Sequence, residues 1–145
     1  MKLIVNHVAA DLVTVSVPGT NYRSTFKYAG PAPLHVGQTV AGVIHAPARK
    51  AEAVSDGGNY VEPLFGRPRR MQGRVMEQHA KTNELLVQVG YPVWVKLPAG
   101  QTVVAFPVGS RVGWDNAEWP RLELAAKALQ TGAAAAVELP SAVGA

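Results

Sequence analysis

Short runs of alternating apolar and polar residues recur along the chain. Between residues 12 and 17, positions 13, 15 and 17 are valine, whereas positions 14 and 16 are threonine and serine. This period of two is typical of β-strands with one buried face. Together with Pro and Gly turn signals, it predicts strands at about 2–8, 12–17, 21–28, 39–45, 73–79, 85–90, 92–97 and 103–114. The fold class is therefore predicted to be mainly β.

The chain also resembles itself after a shift of 72 residues. This shift places the valines of 13–17 on Leu85, Val87 and Val89, and Val36-Gly37 on Val108-Gly109. Two similar halves, about 1–46 and 73–116, follow from it. Either the halves arose by duplication and form one pseudo-twofold unit, or they only share a common order of strands and turns.

Short, valine-rich strands are most economically closed into a small barrel, because closure removes exposed strand edges. We expect a closed or partly open β-barrel, OB-like or SH3-like, with two adjacent small barrels as the alternative. A single domain is predicted over residues 1–132, with a connector at 47–72 between the two halves. Lengths near 145 residues are ordinary for one domain.

One C-terminal α-helix is predicted at about 116–131. Asp115 or Asn116 provides a cap, and Pro120 is tolerated in a first helical turn. An apolar stripe at helical spacing and a stop at Gly132 complete the pattern; the stripe consists of Trp119, Leu122, Ala126 and Leu129. Residues 133–145 are predicted to be a frayed tail.

The composition excludes several classes of protein. The chain has no cysteine, which excludes disulfides and thiolate chemistry, and no run of 18 apolar residues, which excludes a transmembrane helix. A cytoplasmic location fits these observations. The net charge of +4 is concentrated in the centre, because residues 46–75 carry six Lys or Arg and three acids. Such a local excess suggests an anionic partner, although it also serves solubility.

The segment from Gly57 to Arg74 holds the candidate site. Arginines crowd its second half, Arg49 and Lys50 lie upstream, and Tyr60 and Phe65 could stack on bases; the four arginines are Arg67, Arg69, Arg70 and Arg74. Guanidinium groups suit phosphates, so these residues predict binding of RNA, DNA or another polyanion. In the alternative reading, the arginines pair with Glu62, Glu77 or Glu84 and fasten the connector.

Two resemblances rest on this segment. Gly66-Arg67-Pro68-Arg69-Arg70 resembles the core of an AT-hook, although Phe65 stands where a basic residue usually precedes the glycine. The wider pattern GG-x-Y-V-E-P-x-x-G-R-P-R-R resembles one in uncharacterised small proteins of planctomycete-type bacteria. That resemblance implies no activity or site; it implies only that the motif is a family hallmark.

Catalytic patterns are missing from the sequence. No serine lies in a Gly-x-Ser-x-Gly elbow, and the histidines His7 and His79, which coincide under the 72-residue shift, have no acidic ligand set beside them. We therefore expect no enzyme, no cofactor and no metal. Trp94, Trp114 and Trp119 are expected to fill the core. A second hypothesis is a protein-interaction or homo-oligomeric assembly module, in which the connector or a strand edge docks a partner.

Overall fold

A computed structural model describes residues 1–125, which fold into one sheet system of short strands. The prediction of a mainly β protein is confirmed. The strands are β1 (Lys2–Ala9), β2 (Leu12–Ser16), β3 (Arg23–Lys27), β4 (Thr39–Val54), β5 (Tyr60–Glu62), β6 (Phe65–Gly66), β7 (Arg70–His79), β8 (Glu84–Gln88), β9 (Pro92–Lys96), β10 (Arg111–Asn116) and β11 (Arg121–Leu124). A 3-10 turn, Val103–Ala105, precedes β10.

The strand pairings close on themselves through the long strand β4. A ring of five strands runs β4, β10, β7, β8, β9 and back to β4, and a second path runs β1, β2, β3, β11, β4 and back to β1. With 16 residues, β4 is long enough to pair in turn with β1 at 39–41, with β9 in parallel at 44–47, and with β10 at 48–54. The ring of the second half therefore includes β4 from the first, and the path of the first half includes β11, which follows the second half.

The two halves make the same backbone contacts. The Val5 N–H donates to Gln38 O (2.8 Å), and the Val5 carbonyl accepts from the Gly37 N–H (2.7 Å). In the second half, Val75 makes both bonds at 2.8 Å with Ser110 and Gly109. Gly37 and Gly109 both have φ of 90°, in the left-handed region that a residue with a Cβ adopts reluctantly. The Val-Gly dipeptides that coincide in the sequence thus make equivalent turns.

The spacing between equivalent residues is not constant at 72. A β-bulge follows Val5 in β1 and Val75 in β7, an offset of 70 residues, whereas β2 and β8 are offset by 72. The β7–β8 turn is longer than the β1–β2 turn, which restores the difference. A shorter turn before β9 then makes Tyr91, rather than Trp94, the counterpart of Tyr22. The carbonyls of Tyr22 and Tyr91 accept from the N–H groups of Val17 and Val89, which directly follow β2 and β8.

The inward residues of all the long strands form one hydrophobic core. Its largest fully buried side chains are Trp114, Tyr91, Phe26, Leu3 and Ile44. Alternation places these residues inside, because successive side chains of a strand point to opposite faces. A single core supports one unit across both halves, each of which contributes to it.

The predicted helix at about 116–131 is wrong over its described part. Asn116 ends β10, and the chain then forms β11, in which Leu122 is buried while Arg121 and Glu123 are exposed. Leu122 lies opposite Ile44 of β4. The apolar spacing in this segment fits a helix or a strand. The segment forms a strand because it pairs with an edge of β4 that would otherwise be unpaired. Positions 126–131 and the predicted tail 133–145 lie outside the described residues.

The connector predicted at 47–72 is largely strand. β4 continues to Val54, and β5 pairs with the start of β7 as an antiparallel hairpin. At the tip of this hairpin, β6 pairs in parallel with β3, Phe65 lying opposite Arg23. The connector therefore ties the second half to the first. In the part of the chain that the structure describes, no helix is both long and apolar enough to cross a lipid bilayer.

Candidate functional site

The arginine-rich loop is fastened to the core by Asn116. This buried residue donates from Nδ2 to the Pro68 carbonyl (3.0 Å) and accepts from Trp114 Nε1 (2.8 Å). Its backbone N–H donates to Arg69 O, and the Arg69 N–H donates to Glu62 O, both at 2.8 Å. These four bonds fix the backbone that carries the arginines, and thereby the positions from which their side chains extend.

Arg70 is part of a row of alternating charges. The register places Lys50, Asp115, Arg70 and Glu62 side by side on β4, β10, β7 and β5. Arg70 Nη1 lies 3.4 Å from Asp115 Oδ1, and Nε donates to the Tyr60 hydroxyl (3.4 Å). The bond to Tyr60, together with the nearby Asp115 carboxylate, raises the pKa of Arg70 above its ordinary value. Arg70 is therefore ion-paired, but with Asp115 rather than with Glu62, Glu77 or Glu84.

Tyr60 belongs to the same network. Its hydroxyl donates to Gln72 Oε1 (3.3 Å), and Gln72 Nε2 donates to the carbonyls of Asp56 (3.1 Å) and Gly58 (2.9 Å). Gln72 is only 4% exposed, so its amide holds the 56–58 turn against the sheet. Tyr60 is therefore bonded to the sheet surface through its hydroxyl, and its role in base stacking stays a prediction.

Arg67 is arranged differently from Arg70. Its guanidinium carbon lies over the ring of Trp119, 4.8 Å from the centroid, and its Nε is buried without a hydrogen-bond partner among the described residues. Arg67 and Trp119 line one cleft together with Lys27, Ala117, Glu118 and Arg121. Three cations and one acid thus surround a half-buried indole.

A second cleft adjoins the first at Trp119. It shares Glu118, Trp119 and Arg121 with the first and adds His45, Ala46, Pro47, Thr82, Glu84 and Lys96. Lys27 and Lys96 end the equivalent strands β3 and β9, and each lines one of the two clefts. We call the two clefts together the Trp119 groove. Its four Lys and Arg outnumber its two glutamates.

The remaining predicted residues lie outside the groove. Arg69 is exposed beside Asn116, and Arg49 and Lys50 are exposed on β4. Phe65 is 60% exposed at the hairpin tip. Arg74 is exposed on β7, and its Nη1 donates to Gly109 O. The predicted cluster is thus spread over several surfaces, and only Arg67 of its members lines the Trp119 groove.

Sequence reasoning missed Lys27, Lys96, Trp119 and Arg121 as site residues. Trp119, predicted to lie in a helix and in the core, is half-buried at the surface. Trp94 is also half-buried, and its ring centroid lies 4.6 Å from that of His79. Only Trp114 is fully buried. The sequence Trp119-Pro120-Arg121, in which proline interrupts a charged and aromatic run, was the available signal.

Other chemistry finds little support. Among residues 1–125, no three His, Cys, Asp or Glu side chains are grouped as a metal site would require. Burial raises the pKa of the Tyr91 phenol well above 10, but this side chain is only 2% exposed in the core. Neither a scan of protein-family models nor searches of curated proteins and of solved structures find a match to this chain.

Proposed function

We propose that this protein binds single-stranded nucleic acid, without catalysis, in the Trp119 groove. The observation that carries the proposal is the pair of Arg67 and Trp119, 4.8 Å apart, in a cleft with two further cations. A planar guanidinium on an indole offers a flat, positively charged surface on which an unpaired base can stack. Because the bases of a duplex already stack on each other, such a surface favours single strands.

Phosphate groups would be held by the cations that flank the indole. Arg121 makes no ion pair within 4.0 Å in the described structure, and Lys27 makes only one, to Asp11 at 3.2 Å. Both partners of that pair are about half exposed, so it is weak and easily exchanged for a phosphate. Lys96 at the far end lengthens the track along which a strand would lie.

The barrel assignment is part of this proposal. The ring of β4, β10, β7, β8 and β9 has the strand number of an OB-like barrel, a class that binds single strands on an open face. The Trp119 groove lies beside this ring, because His45 of β4 and Lys96 of β9 line it. An SH3-like closure of the same strands would serve equally well.

The test is a fluorescence anisotropy titration with labelled 12-residue single-stranded RNA and DNA and the matching duplexes. We expect both single strands to bind more tightly than duplex at about 50 mM salt, with affinity falling steeply as salt rises. If no oligonucleotide binds at about 50 mM salt, the proposal is wrong. Equal affinity for duplex would remove the stacking argument and leave only nonspecific charge attraction.

An assembly module is the second candidate function, and one observation favours it. Leu64 and Phe65 are 43% and 60% exposed, side by side on the tip of the β5–β7 hairpin. Exposed apolar neighbours of this kind suit a contact with a second copy. Light scattering separates the candidates: a stable dimer that dissociates in Phe65→Ser would favour assembly, and a monomer at all concentrations would exclude it.

A further inference from the structure

Two arginines face each other directly across the sheet. Arg74 of β7 and Arg111 of β10 are register partners. Directly opposed residues of antiparallel strands project from the same face, with Cβ atoms about 5 Å apart. Arg74 is exposed and Arg111 is half-buried, so the two guanidinium groups share one patch of surface.

This arginine pair has no carboxylate of its own. The same row continues with Val54 on β4 and Gln88 on β8, and in the described structure neither arginine makes an ion pair within 4.0 Å. Arg111 Nε is buried and has no hydrogen-bond partner there. Directly opposed like charges repel, and a buried donor without an acceptor costs free energy. An anion between the guanidinium groups would relieve both.

The fold does not require two arginines at these positions, as the equivalent positions of the first half and the neighbouring positions on the same strands show. In the first half, the register partners at the equivalent positions are Ile4 and Thr39, which are uncharged. On the same strands as the arginine pair, Arg70 lies opposite Asp115, so its charge is balanced. The opposition of two like charges is therefore specific to Arg74 and Arg111. A bound anion would neutralise it.

We propose that Arg74 and Arg111 bind a phosphate group. Phosphate offers several acceptor oxygens at once, which matches two planar guanidinium forks better than a halide or a single carboxylate does. The guanidinium of Arg111 and the N–H groups of Arg74 other than the one that donates to Gly109 O would supply the donors. No residue of this pair lines the Trp119 groove, so the site goes beyond the proposed function.

The phosphate group could be inorganic phosphate, a phosphate monoester or a phosphodiester of a bound strand. The first experiment measures thermal unfolding of the full chain in sodium phosphate and in sodium chloride of equal ionic strength. At phosphate about tenfold above the dissociation constant, we expect Tm of the wild-type protein to be about 3 °C higher than in chloride. Arg111→Gln and Arg74→Gln should each abolish this difference.

The matched control is Arg23→Gln, which removes the same charge from an exposed arginine of β3. It should keep the full phosphate response, which separates a site from general salt effects. Arg74 is exposed, so its variant should fold even where Arg111→Gln does not. The proposal is overturned if the wild-type protein gains nothing over chloride, or if Arg74→Gln responds to phosphate as the control does.

A second arm identifies the source of the phosphate and keeps the two proposals separate. An oligonucleotide without terminal phosphates is titrated into the wild-type protein, Arg74→Gln and Trp119→Ala. Weaker binding by Arg74→Gln assigns the site to a phosphodiester; unchanged binding assigns it to free phosphate or a monoester. Trp119→Ala should keep the phosphate response, so a protein that responds to phosphate but binds no oligonucleotide would contradict the proposed function alone.

Discussion

Tyr22 and Tyr91 are equivalent residues of the two halves, and their rings pack edge to face with centroids 5.8 Å apart. The two hydroxyls have different partners. Tyr22 accepts from the Val61 N–H (3.0 Å), whereas Tyr91 lies 3.3 Å from Ser24 Oγ in the core. Tyr22 thus bonds the connector strand β5, whereas Tyr91 bonds the first half, and of the two only Tyr91 is fully buried.

Stability should fall at alkaline pH because of Tyr91. Burial raises the pKa of its phenol above 10, so above pH 10 the unfolded chain releases a proton that the folded chain retains. This contribution is fully present below about pH 10 and is lost as pH rises, by about 1.4 kcal/mol per pH unit. Urea unfolding between pH 8 and 11 should therefore show a flatter decline for Tyr91→Phe. Phe26→Leu, which removes no titrating group, should keep the wild-type slope; an unchanged slope in Tyr91→Phe would contradict the argument.

Gln72 should be a structural residue despite its place within the candidate motif. Replacing it by alanine leaves the carbonyls of Asp56 and Gly58 without their donor and opens a gap under the turn. We expect Gln72→Ala to lower the free energy of unfolding by about 2–3 kcal/mol. Gln88→Ala, a half-buried glutamine on the adjacent strand, should cost less than about 1 kcal/mol in the same denaturant titration. Equal losses would mean that the network adds nothing.

Trp119 should matter for binding and little for stability. Loss of a stacking surface is expected to weaken single-strand affinity about 5- to 100-fold in Trp119→Ala. Phe65→Ala removes an exposed aromatic ring outside the groove and serves as the control, with affinity expected to stay within about twofold. Arg121→Gln should reduce the slope of log affinity against log salt by about 0.7, the value for one phosphate contact on a single strand. A control variant that weakens binding as much as Trp119→Ala would show that the site lies elsewhere.

Neither half should fold without the other. A cut in the exposed turn at Gly57 gives fragments 1–56 and 57–145, and each closed path of strands then lacks a member: β11 for the first and β4 for the second. We expect each fragment alone to lack a cooperative thermal transition by circular dichroism, and the mixture to regain it. A cooperative transition in fragment 57–145 alone would show that its strands close without β4.

The sequence predicted the strands that show an alternating apolar pattern of their own. It missed the strands that form only because a partner strand has a free edge. β2 falls within one residue of its predicted bounds and β8 within two, because Val13 and Val15, and likewise Leu85 and Val87, alternate with outward positions. Leu122 became strand rather than helix because β4 offers an unpaired edge, which no local pattern reveals. The offset between equivalent residues varies from 69 to 72, because the turns differ in length, and a shift of 72 matches β2 with β8 and the two Val-Gly turns.

The candidate site was predictable only in part, for the same reason. Arg67 was singled out by its crowded neighbourhood, but its partner Trp119 comes from a distant segment that pairs with β3 and β4. Arg70 was expected to be free or paired with a nearby glutamate; its partner is Asp115, brought opposite by the register of β10. Charge density in a sequence identifies arginines, whereas only strand pairing identifies which of them are neutralised.

The pairing of β3 with β11 bears on how the chain is made. On the ribosome, β3 emerges long before Pro120 and Arg121, whose contacts with Lys27 complete its second edge. During that interval β3 is an open template for another nascent chain. Its sequence, Arg-Ser-Thr-Phe-Lys, begins and ends with a cation. A cation at each end of an unpaired strand disfavours pairing with further copies, so Arg23 and Lys27 would limit such contacts until β11 pairs with β3.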